Sequence, residues 1–262
     1  MSERGACSGE GEALTYLFTR ANRDLLDMFA WSNVLLALDY DGTLAPLVNT
    51  PVRATMRVST RRLLRRASKL YPCVVISGRA RGDAVGRLQG VEVCRVVGNH
   101  GAEPSRVAKT LRRRVQQWLP VLKARLSRLQ GVIVEDKGFS VTVHYRQARQ
   151  RTAARRAILT AARSLNDVRL VGGKLVVNLL VPGAPHKGLA LERERAHFGC
   201  DTVIYVGDDE TDEDVFQLDR PGRLLSIRVG QKRTSAASYY IRNQEEIDRL
   251  LGTLVALRGG RQ

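Results

Sequence analysis

The sequence predicts an α/β protein in which a parallel sheet is interrupted by a second, inserted α/β unit. From residue 34, apolar segments of strand length alternate with segments of helical periodicity, as in a parallel sheet with helices on both faces. Between residues 105 and 182 the order changes to helix, two strands, helix, two strands. The alternation then resumes, so we expect one discontinuous domain that carries an insertion.

The parallel unit is predicted from near-continuous apolar strands that end in polar residues. The predicted strands cover residues 34–41, 72–79, 94–101, 202–209 and 222–230, and the predicted helices cover 55–71, 81–90, 187–199 and 210–218. Residues 12–32 have the pattern of an amphipathic helix. We therefore predict an N-terminal helical flank over residues 1–30 and a core domain made of residues 31–104 and 183–262.

The insertion, residues 105–182, is predicted to be a small cap with an antiparallel sheet. Its predicted helices cover residues 106–129 and 150–165. Residues 133–146 form one strand pair with a turn at Lys137 and Gly138, and residues 168–181 form a second pair joined through Gly172 and Gly173.

Charge is the most unusual bulk property of the chain. The 262 residues carry a formal net charge of +17, and 44% of them are hydrophobic. The arginines alternate with apolar residues along helical segments, which is typical of a solvated face, and the positive field would also attract small anionic substrates. Only 5% of the residues are aromatic, which makes nucleic-acid binding the least favoured interpretation.

Nothing in the sequence indicates a membrane or secreted protein. No apolar run approaches the roughly 20 residues that span a bilayer, and the N-terminal residues lack a secretory pattern, so a cytoplasmic location is expected. The cysteines lack metal-binding spacing and are expected to be reduced core thiols; they are Cys7, Cys73, Cys94 and Cys200.

Two acidic motifs follow apolar strands. Asp39 and Asp41 end the segment LLALDYD, and six of the seven residues from Asp208 to Asp214 are acidic. Residues of this run at a helix N-terminus would complement the helix dipole, which accounts for Glu210, Glu213 and Asp214. Asp39 and Asp208 need another explanation, because each lies at the end of a predicted strand and not in a helix. Strand-end residues of a parallel sheet meet at the same edge, so we expect these two carboxylates to face each other.

Carboxylates gathered without His or Cys predict a hard cation, for which Mg²⁺ is the best candidate. One carboxylate would then attack phosphorus while a second manages protons. Ser77 ends the apolar segment CVVI, and Lys187 precedes a helix. A helix N-cap and a surface lysine are the ordinary interpretations of these two residues, but both types also neutralise a phosphoryl group.

These four motifs, DYDGT, SGR, HKG and GDDETDED, in this order resemble the haloacid dehalogenase superfamily of phosphatases. The segments EDKGFSVTVHYR and TDEDVF resemble more narrowly its trehalose-6-phosphate phosphatases. The resemblance implies a Rossmann-like parallel-sheet core with an α/β cap inserted between the second and third motifs.

The resemblance also implies roles for individual residues. Asp39 would be the nucleophile and Asp41 the general acid and base, while Ser77 and Lys187 would hold the phosphoryl group. The implied Mg²⁺ site consists of Asp39, the backbone carbonyl of Asp41 and Asp208, supported by Asp209 and Asp212.

The implied sugar site lies mainly on the cap. Its residues are Glu135, Lys137 and His144 of the cap, with Asn99 and His100 of the core. Glu135 and Lys137 would otherwise form a simple exposed ion pair. One residue differs from the family pattern: Asn178 stands where a glutamate is common. An asparagine can bind sugar hydroxyls but carries no charge.

The expected function is Mg²⁺-dependent hydrolysis of trehalose 6-phosphate in trehalose biosynthesis. The alternatives are a phosphatase of sucrose 6-phosphate or mannosyl-3-phosphoglycerate, and a regulatory protein that binds a polyanion or a trehalose-6-phosphate synthase. We expect a small sugar phosphate as the ligand, no membrane partner, and a monomer. The N-terminal helix is the segment to test for contact with a synthase.

Overall fold

The computed structural model describes residues 14–48, 53–104 and 108–260. Within these ranges the strands form one parallel sheet of seven strands and one antiparallel sheet of four. The strands are β1 (Thr15–Tyr16), β2 (Val34–Leu38), β3 (Cys73–Ile76), β4 (Arg95–Val97), β5 (Ile133–Asp136), β6 (Ser140–His144), β7 (Arg169–Gly173), β8 (Val176–Leu180), β9 (Thr202–Gly207), β10 (Leu224–Val229) and β11 (Tyr239–Ile241). The helices are α1 (Arg23–Trp31), α2 (Val58–Ala67), α3 (Arg81–Arg87), α4 (Ala108–Leu126), α5 (Arg151–Arg163), α6 (Lys187–His197), α7 (Glu213–Phe216) and α8 (Glu246–Gly259).

The large sheet has the order β1-β11-β10-β9-β2-β3-β4. Its central strands β2, β3 and β10 are buried along their whole length, because helices cover both faces. The predicted α/β core is therefore confirmed. None of the described helices has the length and apolar character that crossing a membrane requires.

The small sheet, of order β5-β6-β8-β7, lies between β4 and β9 in the chain and forms the cap. One face packs on α4 and α5 through an apolar cluster that contains Val141 and Val143 of β6. The alternate residues of β6, Thr142 and His144, line a cavity instead. This alternation follows from the two-residue period of a strand, and it gives the cap a polar face.

Two local predictions are wrong. The described part of the segment 12–32 is not one helix, because Thr15 and Tyr16 pair in parallel with β11 and the helix begins only at Arg23. The turn between β7 and β8 lies at residues 174–175, and Gly172 and Gly173 belong to β7.

The two glycines of β7 permit a close contact between the cap and the core, and they do not form a turn. A Cβ at Gly172 would lie 2.2 Å from Glu210 Oε2, and one at Gly173 would lie 2.8 Å from Asp209 Oδ2. The missing side chains therefore let the cap strand approach residues 208–214 of the core, here called the acidic loop.

The remaining differences are small. Strand β11 and helix α8 follow the last predicted element, and the N-terminal residues before residue 14 lie outside the described ranges, as does Cys7. Cys73 and Cys200 are buried thiols as expected, but Cys94 is exposed, because it precedes β4 rather than lying within it. The domain boundaries themselves stay a prediction.

Candidate active site

The predicted carboxylates meet at the carboxyl edge of the parallel sheet. Leu38 of β2 pairs with Val206 of β9, and the N–H of Asp39 donates to the Val206 carbonyl at 2.9 Å. The chain therefore leaves both strands side by side, which brings Asp39 and Asp208 together. Both side chains are almost completely buried.

Lys187 is the buried cation of this cluster. Its Nζ donates to Asp39 Oδ1 and to Asp212 Oδ1, each at 2.8 Å. Lys187 is the first residue of α6, so its backbone position is fixed by a helix start. Burial alone would lower the pKa of Lys187, but Asp212 and Asp39 raise it, so this ammonium stays charged.

Asp212 ties the backbone of the acidic loop to strand β9 through hydrogen bonds to its carboxylate. Its carboxylate accepts hydrogen bonds from the Tyr205 hydroxyl at 2.6 Å and from the N–H groups of Asp208 and Asp209 at 3.0 and 2.9 Å. Burial would raise the pKa of Asp212, yet Lys187 and these donors lower it. The folded chain therefore holds Asp212 ionised.

Asp39 has the opposite balance. Burial raises its pKa well above the ordinary value, and Lys187 opposes this only in part. A further positive charge beside this carboxylate would favour its ionised form.

The donor set fits a divalent cation. Carboxylate oxygens of Asp39, Asp208 and Asp212 lie within 4.8 Å of one another. Asp208 Oδ1 is buried and has no hydrogen-bond partner among the described residues, while Lys174 of the cap donates to Asp208 Oδ2 at 2.8 Å. Three neighbouring carboxylates, one of which has a buried oxygen without a hydrogen-bond partner among the described residues, match the preference of Mg²⁺ for oxygen ligands.

Asp209 lies at the edge of this group. Its Oδ1 accepts the N–H of Glu210 at 2.8 Å, so the carboxylate caps the short helical turn that follows. Burial and the charge of Asp208 raise the pKa of Asp209 to about 7. The structure thus places Asp209 next to the group of Asp39, Asp208 and Asp212, with one of its oxygens occupied by the capping hydrogen bond.

Asp41 is held by an arginine that the sequence analysis did not single out. Arg79 donates from Nε and Nη2 to the two oxygens of Asp41, each at 2.6 Å, and from Nη1 to Asp83 at 2.7 Å. Ser77 is buried, and its hydroxyl accepts the N–H of Arg79 at 3.1 Å. The SGR motif therefore supplies both a buried hydroxyl and the partner of Asp41.

The cap contributes a charged group on the hairpin formed by β5, β6 and the turn between them. Glu135 binds Lys137 Nζ at 2.6 Å and His144 Nε2 at 2.7 Å. Burial would raise the pKa of Glu135, but the His144 hydrogen bond and the Lys137 charge lower it to about 2. Asn178 of β8 accepts the Thr142 hydroxyl at 2.9 Å.

Asn99 and His100 form a strained corner of the core. Both have left-handed backbone conformations, with φ of 49° and 56°, and both are buried. The Asn99 amide atoms and His100 Nδ1 have no hydrogen-bond partner among the described residues. Burial and the charge of Lys187 lower the pKa of His100 to about 3, so the imidazole is neutral.

A cavity of about 380 Å³ lies between the cap and the core. The predicted site residues that line it are Asp39, Asp41, His100, Glu135, Lys137, His144, Asn178, Lys187, Asp208 and Asp209. Ser77, Asn99 and Asp212 are buried but are not part of this wall. The carboxylate cluster and the polar cap face thus line one space.

A sequence model described as trehalose-phosphatase matches residues 37–245. The chain belongs to the trehalose-phosphatase family. The match covers both the core motifs and the cap, and it confirms the family resemblance of the sequence.

Curated members of the trehalose-phosphatase family align with most of this chain. Trehalose 6-phosphate phosphatase RA3 of Zea mays is 29% identical over 259 residues, which cover 87% of this chain and 72% of the maize protein. Probable trehalose-phosphate phosphatase 3 of Oryza sativa is 30% identical over 257 residues, with 86% and 70% coverage.

Solved structures of two other phosphatases share the fold. The C-terminal domain of Candida albicans trehalose-6-phosphate phosphatase aligns with a TM-score of 0.80 at 22% identity, covering 94% of this chain and 99% of that one. The sucrose-phosphatase of Synechocystis, solved with sucrose and phosphate, aligns with a TM-score of 0.55 at 15% identity, covering 86% and 98%. Identities this low support the fold alone.

Arg79, Lys174 and Tyr205 contact the site but were not predicted from the sequence. Arg79 could have been found, since it belongs to the SGR motif. Tyr205 offered only a weak signal, a hydroxyl within the apolar strand TVIYVG. The contact of Lys174 with Asp208 depends on how the cap packs against the acidic loop, which the sequence alone does not show.

Proposed function

We propose that this chain hydrolyses trehalose 6-phosphate to trehalose and phosphate through a phosphoryl group carried on Asp39. The observation that carries this proposal is Asp39, buried in the wall of the cavity and 2.8 Å from Lys187. Membership of the trehalose-phosphatase family supports the substrate class.

The reaction has two steps. An Asp39 oxygen attacks phosphorus, the bond from phosphorus to the sugar oxygen breaks, and Asp41 gives a proton to that oxygen. A water molecule then attacks the same phosphorus, Asp41 takes its proton, and phosphate leaves Asp39 as a carboxylate. Lys187, which lines the cavity, holds the phosphoryl oxygens throughout, and the hydroxyl of Ser77, the residue before Gly78 of the cavity wall, is the second group that we assign to them.

Asp39, Asp208 and the backbone carbonyl of Asp41 would hold Mg²⁺, supported by Asp209 and by Asp212, which already fixes the loop. When bound, the ion would supply the positive charge that keeps Asp39 ionised and neutralises phosphoryl oxygens.

The sugar would lie against the polar face of the cap. Glu135, Lys137, His144 and Asn178 line the cavity and offer acceptors and donors for sugar hydroxyls. A site of this kind rejects substrates that leave its buried polar groups unpaired. Asn178 is neutral, so the negative charge that the cap contributes to this wall comes from Glu135, beside the positive charge of Lys137.

The test is phosphate release with Mg²⁺ from trehalose 6-phosphate, compared with sucrose 6-phosphate, mannosyl-3-phosphoglycerate and glucose 6-phosphate. We expect a strong preference for trehalose 6-phosphate, with no release by Asp39→Asn. Glu135→Gln should weaken this preference, whereas Asp136→Asn on the same strand should not, because Asp136 lies outside the cavity wall.

Each other outcome contradicts a different part of the proposal. Equal release from all substrates would keep the chemistry and contradict the assignment of trehalose 6-phosphate. No release from any of them would contradict the enzyme and favour a protein that regulates a synthase or binds a polyanion. Retention on DNA at physiological salt would then support the polyanion interpretation.

A further inference from the structure

The loop that carries Asp208 and Asp209 is held on both sides of its backbone. Its N–H groups donate to the Asp212 carboxylate, as described above. Its carbonyl groups accept hydrogen bonds from Arg228: Nη2 binds the Asp208 carbonyl at 2.6 Å, and Nη1 binds the Asp209 carbonyl at 3.3 Å. A planar guanidinium can bind two consecutive carbonyls in this way, whereas an ammonium lacks the fork.

The sheet register explains why Arg228 reaches this loop. Arg228 of β10 pairs with Gly207, the last residue of β9, so its side chain starts beside the residue that precedes Asp208. Only 5% of Arg228 is exposed. A buried arginine at a strand end, next to the acidic loop, makes contacts that solvent cannot replace.

Glu213 is the counter-charge of Arg228. Its Oε1 lies 2.8 Å from Arg228 Nη1 and also accepts the Ser235 hydroxyl at 2.9 Å, while Oε2 accepts the N–H of Ala236 at 2.9 Å. Glu213 was expected only to complement a helix dipole. Its contacts instead join the acidic loop, Arg228 and the loop between β10 and β11.

We propose that Arg228, fixed by Glu213, is a positioning residue that sets the Mg²⁺ affinity of the site through the backbone of Asp208. Holding the Asp208 carbonyl restricts the backbone rotation that would turn its carboxylate away from Asp39. This inference rests on the proposed function, because it concerns the same Mg²⁺ site. Partners of metal ligands typically change metal affinity about 10–100-fold when they are removed.

The test compares Arg228→Gln with Arg258→Gln. Arg258 is a matched control, because it also binds backbone carbonyls, those of Ala30, Leu70 and Ser32 at 2.6–2.7 Å, but on α8 and outside the cavity wall. Mg²⁺ is titrated into each variant by calorimetry without substrate, and thermal unfolding is recorded in parallel.

We expect Arg228→Gln to weaken Mg²⁺ binding about 10–100-fold. Arg258→Gln should lower the unfolding temperature without changing Mg²⁺ affinity. Arg228→Lys and Glu213→Gln should give intermediate affinities, since each keeps part of the contact network. With saturating Mg²⁺, the KM for trehalose 6-phosphate should stay within about twofold of wild type in all four variants.

An unchanged Mg²⁺ affinity in folded Arg228→Gln would overturn the proposal, as would an equal loss in Arg258→Gln. If Arg228→Gln does not fold, Arg228→Lys and Glu213→Gln decide the question by the same criterion. The calorimetric titration needs no turnover, so the two proposals can fail separately. A chain that binds Mg²⁺ but releases no phosphate would contradict the proposed function, whereas the role of Arg228 would still be decided by the Mg²⁺ affinities of the variants.

Discussion

Replacing Tyr205 with Phe tests whether the centre of the site is ionised. The Tyr205 hydroxyl donates to Asp212 at 2.6 Å, and both residues are fully buried. The variant removes one oxygen and keeps the ring, so it takes away this hydrogen bond with little change in packing.

Tyr71 provides the matched comparison. Its hydroxyl is also buried and donates at 2.8 Å, but to the neutral carbonyl of Leu254. A hydrogen bond to a charged group contributes about 1.5–3 kcal/mol to stability, and one to a neutral group about 0.5–1.5 kcal/mol. We therefore expect Tyr205→Phe to cost about 1 kcal/mol more than Tyr71→Phe.

The assay is urea unfolding at pH 7 without Mg²⁺, with an unchanged m value as the sign that both variants unfold in the same way. Because the pKa of Asp212 is lowered in the folded chain, its stabilising effect is present above its ordinary pKa and is lost as pH falls through the folded value. The excess cost of Tyr205→Phe should therefore disappear in acid. An equal or smaller cost than Tyr71→Phe at pH 7 would refute an ionised Asp212.

Further predictions concern the other charged groups. Lys187→Met should cost about 3–5 kcal/mol in urea unfolding, because it strands buried carboxylates, and Mg²⁺ should restore part of the loss; no loss would contradict the buried pairing. Glu135 has a folded pKa of about 2, so its contribution to stability is complete above its ordinary pKa of 4.5 and is lost as pH falls towards 2. Wild type should therefore lose stability more steeply than Glu135→Gln over that interval, and parallel curves would argue against the His144 pairing. Arg169→Gln removes a 2.5 Å ion pair that joins the cap to Asp214 of the core, and it should raise the KM for trehalose 6-phosphate about fivefold with kcat unchanged. An unaltered KM would mean that this pair does not hold the cap.

The sequence predicted the positions of strand-end carboxylates well for a physical reason. Apolar strands followed by Asp39 and Asp208 place both residues at one edge of a parallel sheet, whatever the details of the helices. Lys187 was assigned from the order of the four motifs instead, and the structure places it at the first residue of α6, 2.8 Å from Asp39.

The partners of these carboxylates could not be predicted in the same way. Arg228 and Tyr205 have no distinctive spacing, and their contacts depend on the register of β9 with β10 and on the curl of the acidic loop. The acidic run shows the limit clearly. Glu213 and Asp214 looked like dipole complementation, yet each forms a specific ion pair, with Arg228 and with Arg169 of the cap.

Backbone proximity was also invisible in the sequence. Two adjacent glycines between strand-like segments favour a turn, but Gly172 and Gly173 lie in β7 because the acidic loop passes against them. The strand at Thr15 and Tyr16 was hidden for a related reason: it is only two residues long and is defined by β11, more than 200 residues away.

The most direct test of the account is to find the phosphoryl group on the enzyme. Mixing the protein with trehalose 6-phosphate and Mg²⁺, quenching in acid and analysing the peptides by mass spectrometry should show one added phosphoryl group on the peptide that contains Asp39. Asp39→Asn should show none. Release of phosphate from trehalose 6-phosphate with no phosphoryl group on Asp39, or with one on a different residue, would contradict the account.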